Sequence, residues 1–140
     1  MITIAEKQLA QIRAHGISDY PYECCGLLLG HFGPDGKIVS EIFPISNARE
    51  ESAKRNRFLI KPEELMRGEQ YARTHDLEVV GFYHSHPDSP AVPSQYDLEH
   101  AWPTYSYIIV STSADRANDL FSWEQEPDRS RFNQEEVQCQ

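Results

Sequence analysis

Two short apolar runs, each broken by glycine, limit this chain more than any other feature. They are Cys25-Gly26-Leu27-Leu28-Leu29-Gly30 and residues 77–83, Leu77-Glu78-Val79-Val80-Gly81-Phe82-Tyr83. Runs of this length, bounded by turn residues, suit strands buried inside a sheet. Pro34-Asp35-Gly36 then reads as a turn, with residues 37–45 as the returning strand. Residues 105–111 and 120–123 supply two more strands. Helical signals lie between these strands. Thr3-Ile4-Ala5-Glu6 has the form of a capping box, Ala5, Leu9 and Ile12 share one helical face, and Gly16 is a natural stop. Lys61-Pro62-Glu63-Glu64-Leu65 places proline in a first turn with acids behind it, opening a helix that runs to about His75. Residues 46–57 are polar and of mixed charge, which predicts a loop. The expectation is a single α/β (α+β) domain with a central mixed β-sheet flanked by helices. The domain is expected over residues 1–125, with residues 126–140 as a polar, flexible tail.

The net charge of −9 argues against nucleic acid, because gripping a phosphate backbone requires lysine and arginine in excess. No apolar run approaches the roughly 20 residues that cross a bilayer, and the opening residues lack the pattern of a secretory signal. Three cysteines, two of them adjacent and none in a Cys-x-x-Cys, point to reduced thiols and not to a disulfide frame or a thiolate metal site. A cytoplasmic protein without a membrane or nucleic-acid partner is expected, with a homodimer left open.

The chemistry lies in His84-Ser85-His86, followed after a loop by Asp97. Alternate side chains of an extended backbone face the same way, so both imidazoles can converge on one point. Two imidazoles and a carboxylate form a three-ligand set that leaves a fourth tetrahedral position open, the mark of a catalytic zinc site. A zinc ion there lowers the pKa of its water to about 7. Each residue also has a plainer reading. An isolated His-x-His is common, Ser94-Gln95-Tyr96-Asp97 is an ordinary helix start with Ser94 as N-cap, and Glu23 alone would be surface charge.

The joint pattern resembles the JAMM motif of the MPN+ metalloprotease family. A glutamate stands before a buried strand; then come His-Ser-His, seven residues beginning with Pro87, serine, two residues and aspartate. Glu23, His84, Ser85, His86, Ser94 and Asp97 occupy every motif position. Glu23-Cys24-Cys25-Gly26-Leu27-Leu28-Leu29-Gly30 resembles the family's first strand, and Phe58-Leu59-Ile60-Lys61-Pro62-Glu63 the entry to its second helix. Val80-Gly81-Phe82-Tyr83 resembles the strand that delivers the histidines. The resemblance implies the JAMM/MPN fold, which is similar to the cytidine-deaminase fold. It implies Zn2+ held by His84, His86 and Asp97, Glu23 as general base and proton carrier, and Ser94 as donor to the oxyanion. Amide hydrolysis needs a nucleophile, a proton shuttle and charge stabilisation, and this set supplies all three.

The chain is similar to the small stand-alone bacterial members, which implies a ubiquitin-like or sulfur-carrier protein substrate. Cleavage would follow the C-terminal Gly-Gly, with release of cysteine or exposure of a trimmed tail. Two other readings stay open: a non-catalytic binding or scaffold domain, and a peptidase acting on other small peptides. His15, His31, His75 and His100 lack ligand-like spacing, Cys24 and Cys25 read as strand packing, and Trp102, Tyr105, Tyr107 and Trp123 as core or pocket wall.

Overall fold

The computed structural model describes residues 1–47 and 60–140. Most of the polar loop expected over residues 46–57, together with Phe58 and Leu59, lies outside the described residues. The elements in chain order are β1 (Ile2–Ile4), α1 (Glu6–Asp19), β2 (Cys25–Gly33), β3 (Gly36–Ile45), α2 (Pro62–Thr74), β4 (Glu78–Pro87), α3 (Gln95–His100), β5 (Ser106–Ser113), β6 (Arg116–Gln125), β7 (Phe132–Glu135) and β8 (Val137–Cys139). Among the described residues the strands form one mixed sheet in the order β7-β6-β5-β4-β2-β3-β1-β8. β4 runs parallel to β5 and β1 parallel to β3 and β8, while the other neighbours are antiparallel. None of the described helices is long and apolar enough to cross a membrane.

The central strands are apolar at consecutive positions because a helix covers each face of the sheet. Leu28 packs with Leu9 and Ile12 of α1, Tyr83 and Ile108. Leu27 and Leu29 pack on the other face with Cys25, Ile45 and Ala72 of α2. Two glycines mark close approaches. A Cβ on Gly26 would stand 2.3 Å from the Tyr83 ring, and one on Gly16 would stand 2.9 Å from Thr112 Cγ2. Gly16 therefore does not stop α1, which continues to Asp19; it lets the helix lie close against β5.

Two further expectations are corrected. Thr3-Ile4-Ala5-Glu6 does not cap a helix: Ile2 and Ile4 are both fully buried, so the two-residue period wins and the segment becomes β1. α1 begins after Ala5 with no side-chain cap. Residues 126–140 are not a loose tail, because β7 pairs with β6 and β8 with β1. A single residue, Glu136, separates these two strands, and its carbonyl accepts from Ile2 N–H at 3.0 Å. The C-terminal segment thus ties together the two sides of a strongly curled sheet. Its inward anchor is polar: the buried Glu135 carboxylate accepts from the hydroxyls of Ser106 and Ser122.

Candidate metal centre

The ends of β2 and β4 bring the motif residues together. Cys25 pairs with His84, which sets Glu23 against the stretch His84-Ser85-His86. All four of these residues are buried, Glu23 at 3% exposure and His84 at 1%. α3 then carries Asp97 to the same place. Ser94 Oγ accepts from Asp97 N–H at 3.1 Å, and Asp97 Oδ2 accepts from Ser94 N–H at 2.9 Å, a complete capping box. The same Oδ2 lies 3.3 Å from His84 Nε2 and 3.2 Å from His86 Nε2, and the two Nε2 atoms are 3.1 Å apart. The capping role of Asp97 and its convergence with the histidines are therefore compatible, and the cap holds the carboxylate against the imidazoles.

These three atoms form a triangle with edges of 3.1, 3.2 and 3.3 Å. Donor atoms held at about 2.0–2.1 Å by a tetrahedral zinc stand about 3.3–3.4 Å apart, so the donor set fits such an ion in kind and in size. His86 Nδ1 donates to the Pro90 carbonyl at 2.9 Å, which assigns its proton to Nδ1 and turns Nε2 inward. Burial alone would raise the Asp97 carboxyl, but His84, His86 and the Ser94 N–H hold it well below the usual carboxylate range. Burial works against the charged form of His86, yet Asp97 and the Pro90 carbonyl raise it above an ordinary imidazole.

A Glu23 carboxyl oxygen joins donor nitrogens of His84 and His86 in a group whose atoms all lie within 4.8 Å of one another. Burial pushes Glu23 up to about 7; the neighbouring histidines oppose this and Asp97 adds to it. A cavity of about 430 Å³ opens over Glu23, His86 and Ser94, walled by Pro87, Ser89, Pro90 and Val92. A larger groove of about 610 Å³, between α2 and residues 102–105, includes none of the motif side chains. Size does not make it the reaction site, since convergent polar and titratable groups are what mark one.

The remaining histidines lie elsewhere. His15 meets the Tyr83 hydroxyl and Asp19, His75 and His100 bond carbonyls of their own helices, and His31 is exposed. Trp102 is 58% exposed, at the rim of the larger groove, and stacks against the Arg129 guanidinium. The structure adds two contacts that sequence spacing did not single out: the Pro90 carbonyl on His86, and Asn47 Nδ2 donating to the Glu23 carbonyl at 3.0 Å.

Residues 5–126 match the family described as prokaryotic homologs of the JAB domain. The chain belongs to this family. The JAB-family chain is 38% identical over 104 residues to a desampylase of Haloferax volcanii, covering 74% of this chain and 72% of that one. It is 34% identical over 111 residues to a CysO-cysteine peptidase of Mycobacterium tuberculosis, covering 79% and 73% respectively. The solution structure of a protein from Desulfitobacterium hafniense matches this JAB-family fold with a TM-score of 0.87 at 30% identity, over 100% of this chain and 93% of that one.

Proposed function

We propose that this chain is a zinc-dependent peptidase or isopeptidase. On this reading it hydrolyses the amide bond after the C-terminal Gly-Gly of a ubiquitin-like or sulfur-carrier protein, with release of cysteine as one outcome. The observation that carries the proposal is the convergence of His84 Nε2, His86 Nε2 and Asp97 Oδ2 beside a buried carboxyl with a pKa of about 7. The similarity to a desampylase and a CysO-cysteine peptidase supports the choice of substrate class. Three free thiols fit a reducing, cytoplasmic setting.

His84, His86 and Asp97 would hold the metal. When bound, zinc supplies Lewis-acid polarisation and makes water ionisable at neutral pH. The Glu23 carboxylate takes a proton from the attacking water and delivers it to the amine nitrogen as the C–N bond breaks. A pKa of about 7 suits both halves of that task. Ser94 Oγ accepts from Asp97 N–H, and its hydroxyl hydrogen donates to the substrate oxygen as charge develops there. One such donor is worth about 3–4 kcal/mol in the transition state.

The test incubates the zinc-loaded protein with a carrier ending in Gly-Gly-cysteine and with a Gly-Gly–lysine isopeptide conjugate, read by intact mass. Carrier ending in free Gly-Gly should appear, and the His84→Ala control should yield none. No turnover of either substrate by the loaded protein would overturn this reading and leave a binding module or a peptidase acting on other small peptides. Elemental analysis should also find about one zinc per chain, in line with a single three-ligand site, and lose it in His86→Ala. Equal zinc in both would remove His86 from the ligand set.

A further inference from the structure

The peptide unit that joins Glu23 to Cys24 is held at both polar ends by side chains. Its carbonyl oxygen, on Glu23, accepts from Asn47 Nδ2 at 3.0 Å. Its N–H, on Cys24, donates to Ser85 Oγ at 2.8 Å. The regular pairing of β2 with β4 ends at Cys25 and His84. One step beyond, Ser85 N–H still donates to the Cys24 carbonyl at 3.2 Å. In an unbroken antiparallel ladder the Cys24 N–H would return to the Ser85 carbonyl, and here the Ser85 hydroxyl takes that place. Ser85 is fully buried between two metal-site histidines, and its hydroxyl meets the peptide next to Glu23.

A peptide unit is planar, so the chain turns only about the bonds on either side of it. Pinning the carbonyl and the N–H of one plane fixes the plane itself, and with it the position of the Glu23 Cα from which the side chain springs, relative to β2 and β4. We propose that Ser85 and Asn47 are positioning residues that clamp the Glu23–Cys24 peptide and aim the Glu23 carboxylate at the reacting atoms. This inference rests on the proton-carrying role proposed above for Glu23. Neither residue needs to touch substrate or metal for the clamp to work.

Misplacing a reacting group by about 1 Å can cost on the order of 100-fold in rate. Ser85→Ala and Asn47→Ala should therefore each lower kcat about 10- to 100-fold. KM and zinc content should stay within about two-fold of the parent, the resolution at which independent effects add. The deciding readout is a double-variant cycle with Glu23→Gln. If the clamp acts through Glu23, adding Ser85→Ala or Asn47→Ala to Glu23→Gln slows the enzyme by no more than about two-fold further. A merely structural loss would multiply in both backgrounds.

Multiplying losses, unchanged kcat in the single variants, or zinc lost from Ser85→Ala would overturn the inference. If Ser85→Ala fails to fold, Ser85→Cys enters the same cycle, because it keeps the volume and replaces the oxygen with a poorly accepting sulfur. A wild type without turnover would remove the proposed function and this inference together. Turnover with multiplying losses would remove the inference alone.

Discussion

A carboxyl group that ferries protons at neutral pH must be able to hold and release one there, and Glu23 reaches this state mainly through burial. Glu23→Gln keeps the shape and loses the proton. It should retain zinc and fold but lose at least about 100-fold in turnover, read by single-turnover kinetics beside metal analysis. Loss of zinc would instead make Glu23 a ligand, and unchanged turnover would put the base elsewhere. The neighbouring thiols have been driven away from reactivity, since burial pushes Cys24 up to about 12 and raises Cys25 as well. A thiol in that state offers almost no thiolate at neutral pH, so a folded Cys24→Ala, Cys25→Ala double variant should keep most of its turnover. Its inactivation with zinc and fold intact would restore a thiol mechanism. Strand alternation suggested in the sequence that His84 and His86 converge, but Asp97 joined them only through the resemblance to the JAMM motif, because its local pattern is that of a helix cap. Asn47 and the Pro90 carbonyl were not legible there, because each acts through a single contact that only the folded chain creates.

Among the elements, β2 was readable and β1, β7 and β8 were not. A central strand covered on both faces is apolar at every step. An edge strand is held largely by backbone pairing and can be polar or very short, so the edge strands β7 and β8 were masked by their polar residues, whereas β1, which lies between β3 and β8, was masked by its three-residue length and a capping signal. The packing of β2 on β4 has no slack where Gly26 faces Tyr83, a fully buried ring that cannot retreat. Gly26→Ala should therefore destabilise the protein by about 1–3 kcal/mol, the usual cost of overpacking, measured by urea denaturation. An unchanged midpoint would show that the ring can shift after all. The helices follow the same logic, with Gly16 spent on a close approach that local propensity could not reveal.

At the scale of the molecule, the curl of the sheet brings together strands that are far apart in its order. Lys37 on β3 is buried and donates to Glu124 on β6 at 2.6 Å. Burial alone would raise Glu124, but Lys37 lowers its carboxyl below the ordinary 4.5. A carboxyl depressed by folding stabilises above its unfolded pKa, and that stabilisation is lost as pH falls through the folded value. Glu124→Gln leaves Lys37 buried without its partner and should lower the melting temperature at pH 7. The gap from wild type should close as pH drops below 4.5. A gap that does not depend on pH would remove the ion pair from the account. Deleting residues 132–140 should lower the melting temperature further by unpairing β6 and β1 together. The same segment bears on self-association. β6, ten residues long, is covered by β7, and β1 by β8, so the outermost strands are only four and three residues long. Strands that short make poor templates for recruiting another chain. The intact protein should stay clear in concentrated solution, whereas the deletion, with β6 and β1 laid bare, should polymerise edge to edge.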